Sequence, residues 1–318
     1  MLTALVVWIA VALALQALYR WLVHRPFSLN DKVIVITGAG MGIGRRLAEE
    51  IFIHTSNATL VLLDINHDAV LKTKRYLEGL AATGKKPSTV RVYQCDVSDP
   101  ELVEGCIQRI LEDVAPQPIA VLINNAGVVI GKSIMDLSPS EVRRTFDVNV
   151  VAHFWMVKSV LPSMKQCEEA MIVSISSILG YCAGARLADY VASKSAVVGF
   201  HDSLCPLGTN TGMFRWIFEH HHGFLNVQEV FAPLLQESDV ATSIHRAMVR
   251  GEEQVISCHP GWLRVLHEWI TPIYRLLPPT LRDYTYWASG AVYGMDTFVG
   301  RIETAAAVGR TSEKAKQA

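Results

Sequence analysis

No two of the six cysteines form a Cys-x-x-Cys pair; Cys95, Cys106, Cys167, Cys182, Cys205 and Cys258 are scattered along the chain. That spacing argues against a thiolate zinc site and a disulfide scaffold, and fits reduced, mostly buried thiols in a cytosol-facing domain. Charge of one sign is lacking too. Lysine and arginine total 29 against 30 aspartates and glutamates, for a net charge of −1, so there is no basic field to hold nucleic acid. Internal repeats and low-complexity tracts are missing. No basic residue precedes the first apolar run and no small-x-small site follows it, which argues against a cleaved secretory leader.

What is present suits one large globular domain with an appendage: 318 residues, 50% of them hydrophobic and 19% charged. Residues 2–19 carry no charge and only Thr3 and Gln16 as polar side chains. As a helix this run would reach about 27 Å, against about 30 Å of bilayer hydrocarbon. Arg20, His24, Arg25 and Lys32 follow it, placing the large domain on the cytosolic side. Residues 1–25 are therefore expected to be an uncleaved anchor, either spanning a membrane or lying in one leaflet. Residues 26–260 form the expected main domain, and 261–318 an amphipathic segment and tail.

The main domain opens on a β-branched run, residues 32–37, fit for a buried parallel strand. It leads into Gly38-Ala-Gly-Met-Gly-Ile-Gly44 and a helical pattern. Gly38, Gly42 and Gly44, with the Ile43 amide between the last two, allow a tight turn on which a pyrophosphate can sit at a helix N-terminus. A second strand, residues 59–63, ends at Asp64, placed to accept ribose hydroxyls and to repel a 2′-phosphate. Met41 and Ile65, where a basic residue would hold that phosphate, are uncharged. The expected cofactor is NAD rather than NADP. Further alternation follows at α/β spacing, with Asp96 and Val97 ending the third strand beside an adenine. Asn124, Ala126 and Gly127 end the fourth strand in the cofactor cleft. A helix is expected over residues 138–161. A last helix is expected over 238–250, and a last strand over 254–257.

Ser177, Tyr190 and Lys194 carry the chemistry. Tyr190 and Lys194 stand one helical turn apart, so an ammonium can sit beside a phenol. Ser177 ends the strand formed by residues 171–176. A free phenol with a pKa of about 10 is a poor base at pH 7, and a nearby cation would favour its ionised form. The Tyr190 oxygen would then exchange a proton with a substrate oxygen that Ser177 also hydrogen-bonds. Asn149, inside the long helix, reads either as a solvated surface position or as the holder of a water connecting Lys194 to solvent.

Taken together, Thr37-Gly-x-x-x-Gly-x-Gly44, Asp96, Asn124-Asn-Ala-Gly127, Asn149, Ser177 and Tyr190-x-x-x-Lys194 resemble the short-chain dehydrogenase/reductase family over roughly residues 30–260. Stretches such as Val150-Val-Ala-His-Phe-Trp155 and Val198-Gly-Phe-His201 are similar to its membrane-associated branch of retinol dehydrogenases and lipid-droplet 17β-hydroxysteroid dehydrogenases. The resemblance implies a Rossmann-type doubly wound parallel sheet with helices on both faces, and Asn149, Ser177, Tyr190 and Lys194 as the catalytic set. Tyr190 and Lys194 also touch the cofactor, as does Thr211. The implied substrate is a lipophilic alcohol or carbonyl, retinoid- or steroid-like. The implied setting is the reticulum membrane or a lipid droplet, with a homodimer as the assembly and neither nucleic acid nor metal bound.

One departure stands out. Lys194 is followed by only eleven residues before Pro206. The family's continuing helix and next strand need about twenty more, at about 1.5 and 3.3 Å of rise per residue. The sheet is therefore expected to lack its sixth strand, as in a splice form with weakened folding or activity. A non-catalytic surface protein that keeps the nucleotide fold is the alternative function. His220-His221-His222 is a poor metal set, because adjacent histidines on one loop cannot converge on one ion.

Overall fold

The computed structural model describes residues 26–80, 87–181, 184–204, 210–214, 236–251 and 254–255. Seven parallel strands run β1 Val33–Thr37, β2 Thr59–Asp64, β3 Thr89–Gln94, β4 Ile119–Asn124, β5 Met171–Ile175, β6 Asn210–Phe214 and β7 Gln254–Val255. Their order is β3-β2-β1-β4-β5-β6-β7. The order reverses between β1 and β4, which opens a crevice at the carboxyl ends of these two strands.

The strands β1, β2, β4 and β5 are buried on both sides because both sides are covered. Ile34 and Ile36 of β1 pack in one layer with α1 (Gly42–His54), α2 (His67–Gly79) and α7 (Glu237–Arg250). Val33 and Val35 pack in the other with α3 (Pro100–Val114), α5 (Ala152–Met164) and α6 (Ala188–Leu204). Strand alternation thus divides one sequence run between two cores, and each fully buried aliphatic side chain contributes about 2 kcal/mol. The helix starts are also written in sequence. The Asn66 side chain accepts from the Ala69 amide, Asp99 from Glu101 and Leu102, and Ser138 forms a capping box with Glu141 at the start of α4 (Pro139–Phe146).

Two expectations are corrected here. The helix expected over residues 138–161 is really α4, a π-helical turn Asp147–Val151, and α5. Nor is the sheet missing its sixth strand, because β6 pairs with β5 from Met171↔Asn210 to Ile175↔Phe214. The helix after Lys194 does not run on for several more turns but ends at Leu204. The 17 residues of α6 already span about 25 Å, whereas a five-residue strand such as β5 spans about 17 Å. The crossover therefore closes on a shorter helix, and residues 210–214 supply the backbone groups that β5 would otherwise leave unpaired.

No helix among the described residues is long and apolar enough to cross a membrane. The anchor expected at residues 1–25 lies outside the described residues, as do the histidine run at 220–222 and everything beyond residue 255.

Candidate active site

The glycine loop between β1 and α1 leaves no room for side chains. A carbon added at Gly44 would overlap the Gly38 carbonyl oxygen and lie 2.5 Å from Asn125 Nδ2. Gly38 itself sits at φ +64°, with its missing side chain 2.9 Å from Ala126 Cα. Asn125 clamps this loop to the end of β4. Its Nδ2 donates to the Thr37 and Gly38 carbonyls at 2.9 and 3.1 Å. Thr37 Oγ1 accepts from the Asn125 and Ala126 amides, both at 3.0 Å. At the end of β2, Asp64 Oδ2 accepts from the Gly40 amide at 2.8 Å and Oδ1 from Asn66 at 2.9 Å. Met41 and Ile65 flank this carboxylate as exposed apolar side chains. These residues fit a dinucleotide: a bare backbone cradle at a helix N-terminus, and a fixed carboxylate twenty residues beyond Gly44 with no ion pair among the described residues.

Other expected cofactor residues fall around the same crevice. Asp96 closes a turn on the Ser98 amide and hydroxyl at 3.0 and 2.6 Å. Val97 turns its side chain into the core and has only its backbone to offer. Asn124 is buried, and its Nδ2 has no hydrogen-bond partner. A carbon at Gly127 would stand 3.3 Å from Asn149 Oδ1 and 3.7 Å from Lys194 Nζ, so this glycine lies directly over the reactive groups. Thr211 does not belong with them. It pairs with Ile172 inside the sheet, five residues below Ser177 and so roughly 17 Å from the crevice along the strand. Its place as the second residue of β6 sets its backbone below the carboxyl edge of the sheet.

Ser177, Tyr190, Lys194 and Asn149 do converge, and all four are buried. Ser177 hydrogen-bonds the Tyr190 phenol. Lys194 Nζ donates to the Ile175 carbonyl at 2.8 Å and lies 5.7 Å from the Tyr190 ring centre. Asn149 is not a surface residue. The π-helical turn widens the backbone by one residue and points Asn149 inward, a distortion common at functional sites. There its Oδ1 accepts from the Val128 amide at 2.8 Å, while Nδ2 donates to the Val128 carbonyl at 2.9 Å and Ser193 Oγ at 3.0 Å. Ser193 in turn donates to the Tyr190 carbonyl at 2.7 Å. Asn125 and Ser193 were not picked out from sequence. The one signal for Asn125 is its place in the Asn-Asn pair, since alternation sends neighbouring side chains to opposite sides.

Protonation differs from the sequence expectation. Burial pushes the Tyr190 phenol up, and the Ser177 hydrogen bond offsets only part of this. Burial also lowers Lys194 to about 8. The ammonium is occupied at the Ile175 carbonyl, so desolvation outweighs its pull on the phenol. This has a consequence for stability. Below pH 8 both folded and unfolded lysine are charged. Between about 8 and 10.5 only the unfolded state keeps its proton, so stability rises with pH there. Relative to Lys194→Met, the wild type should gain about 2 kcal/mol between pH 7.5 and 9.5, at about 1.36 kcal/mol per unit above 8. Parallel urea-unfolding curves for the two proteins over that range would show that the lysine is not depressed.

A seven-stranded parallel sheet with a glycine cradle, and with Ser, Tyr and Lys meeting above its carboxyl edge, defines an oxidoreductase acting on CH–OH groups. A family model described as short chain dehydrogenase matches residues 32–212, and the chain belongs to that family. Retinol dehydrogenase 10-B of Danio rerio is 36% identical over 228 residues, covering 62% of this chain and 67% of that protein. Short-chain dehydrogenase/reductase family 16C member 6 of Bos taurus is 32% identical over 264 residues, covering 78% of each chain. Among solved structures, a short-chain dehydrogenase/reductase from Burkholderia phymatum in complex with NAD superposes with a TM-score of 0.65. It is 26% identical, and the match covers 80% of this chain and 98% of that one. Solved neighbours of this fold carry NAD or NADP.

Proposed function

We propose that this chain is an NAD-dependent dehydrogenase that interconverts a lipophilic alcohol, retinoid- or steroid-like, and its carbonyl. The observation that carries the reading is the burial of Ser177, Tyr190, Lys194 and Asn149 together beside the glycine cradle. Gly38, Gly42, Ile43 and Gly44 would hold the pyrophosphate, Asp64 the adenosine ribose, and Asp96, Val97, Asn124, Ala126 and Gly127 the walls around it. When bound, the nicotinamide supplies or accepts hydride. Tyr190 takes the proton from the alcohol oxygen on oxidation and returns it on reduction, Ser177 holds that oxygen, and Lys194 hydrogen-bonds the nicotinamide-side ribose. Asn149 fixes the Val128 segment and keeps a water path open to Lys194.

The retinoid reading is supported by the name of the Danio rerio relative, and by an apolar amino-terminal run that would keep the domain where such substrates dissolve. In this reading residues 1–25 anchor the domain at the cytosolic face of the reticulum or a lipid droplet, and the domain pairs as a homodimer. The rival, a non-catalytic surface protein, draws on the pairing of Thr211 with Ile172, five residues before Ser177.

The full chain in detergent should bind NADH at least tenfold more tightly than NADPH, because Asp64 repels a 2′-phosphate. It should also oxidise all-trans-retinol or a 17β-hydroxysteroid with NAD. Equal affinity for the two cofactors would remove Asp64 as the selector. NADH binding with no turnover of any lipophilic alcohol would favour the rival.

A further inference from the structure

Three metal-ligating side chains meet at the end of α1 remote from the glycine cradle. Glu50, His54 and His245 each place one donor atom within 4.8 Å of the other two. Glu50 and His54 are one turn apart on α1 and so face the same way, while His245 comes from α7, packed along it. The imidazoles of His54 and His245 lie 5.0 Å apart, tilted by 33°. His54 Nδ1 is 2.8 Å from the Glu50 backbone carbonyl, an acceptor that fixes the proton on Nδ1 and leaves Nε2 as the basic nitrogen of the neutral ring. Glu50 Oε1 accepts from Thr242 Oγ1 at 2.9 Å, which orients the carboxylate.

A further observation points to a ligand. His245 Nε2 is buried and has no hydrogen-bond partner. Buried polar atoms normally find one, and a metal ion is one of the few partners that two imidazoles and a carboxylate share. The site also lies at the carboxyl end of α1, where the helix dipole favours positive charge. Bonds of ~2.1 Å from one tetrahedral ion need donors about 3.4 Å apart. The half-exposed His54 can supply that adjustment by rotating its side chain.

We propose that Glu50, His54 and His245 bind a zinc-class divalent ion that clamps α7 to α1 and keeps its fourth coordination position open to solvent. The clamp lies roughly 18 Å along α1 from the glycine loop, too far to touch substrate. It is a structural site, independent of the proposed reaction. Sequence spacing does not show it, because His245 lies far along the chain and only the packing of α7 on α1 brings it to Glu50 and His54.

The test uses the full chain stripped with a chelator, then titrated with zinc chloride alone, followed by calorimetry and by melting. One equivalent should bind, raising the melting temperature by about 5 °C at a hundredfold excess over Kd. Cobalt should give the visible absorption of a four-coordinate N/O site. His54→Ala and His245→Phe should each weaken binding at least a hundredfold and abolish the rise, whereas Cys95→Ser and Cys106→Ser should leave it unchanged. If a histidine variant fails to fold, Glu50→Gln takes its place, with a tenfold loss expected. The proposal is overturned by no zinc-dependent rise, by a rise that survives both histidine variants, or by unchanged affinity in Glu50→Gln.

Discussion

Tyr190→Phe should lower kcat about a thousandfold, within the range for loss of a positioned acid–base group, while changing the Kd for NADH by no more than about threefold. The separation is expected from packing. The Tyr190 ring sits against Leu187, with Val129, Leu179 and Val191 around it, and Phe preserves all of that contact. Only the oxygen is lost, with its bond to Ser177. A lost hydrogen bond of this kind costs about 1 kcal/mol of stability, too little to unfold a domain of this size. The pH profile adds a second reading. Because burial pushes the phenol up, the free protein carries neutral tyrosine at pH 7, a form suited to giving a proton in reduction. Oxidation needs the ionised form, so kcat/KM for alcohol oxidation should climb with pH through at least pH 9. Steady-state rates in both directions from pH 6 to 9.5 would check this, and turnover within tenfold of wild type in Tyr190→Phe would remove the tyrosine from the mechanism.

The parts of the fold visible in sequence were those set by local chemistry. Residues 33–36 are β-branched and apolar and residues 60–63 are apolar, and such runs become strands covered on both faces. Ser177, Tyr190 and Lys194 were legible because a strand end and one helical turn fix their relation before any tertiary contact is known. Asn149 was not. One inserted residue converts a helical turn to a π-turn, and nothing in Asp-Val-Asn-Val-Val announces it; the Val128 backbone and Ser193 that hold it there are distant in sequence. The sixth strand was misjudged for a related reason. Asn-Thr-Gly-Met-Phe has weak strand character of its own, and its pairing is decided by the open edge of β5. The proton affinities of Tyr190 and Lys194 likewise follow burial, which spacing along a helix does not report.

Gly44→Ala should cost more than alanine at any other described glycine. The added carbon would collide with the Gly38 carbonyl and the Asn125 amide, neither of which is the free end of a flexible side chain. Asn125 Nδ2 is already fixed by the Thr37 and Gly38 carbonyls, so relief requires the glycine loop to lift away from β4 and break those two bonds. Overpacking and lost buried hydrogen bonds together should destabilise by about 2–4 kcal/mol, or roughly 5–12 °C in melting temperature. Cofactor affinity should suffer more than stability does. The amides that would face the pyrophosphate are the ones displaced, so NADH should bind at least a hundredfold more weakly. Gly199→Ala is the matched control. Gly199 is an exposed position inside α6, where an added carbon meets nothing within 4 Å. There the exchange should stabilise by about 0.5–1 kcal/mol through helix propensity alone, leaving NADH binding unchanged. If both variants melt and bind alike, the glycine loop is not a close-packed cradle, and the cofactor contacts assigned to Gly38, Gly42 and Gly44 fall with it.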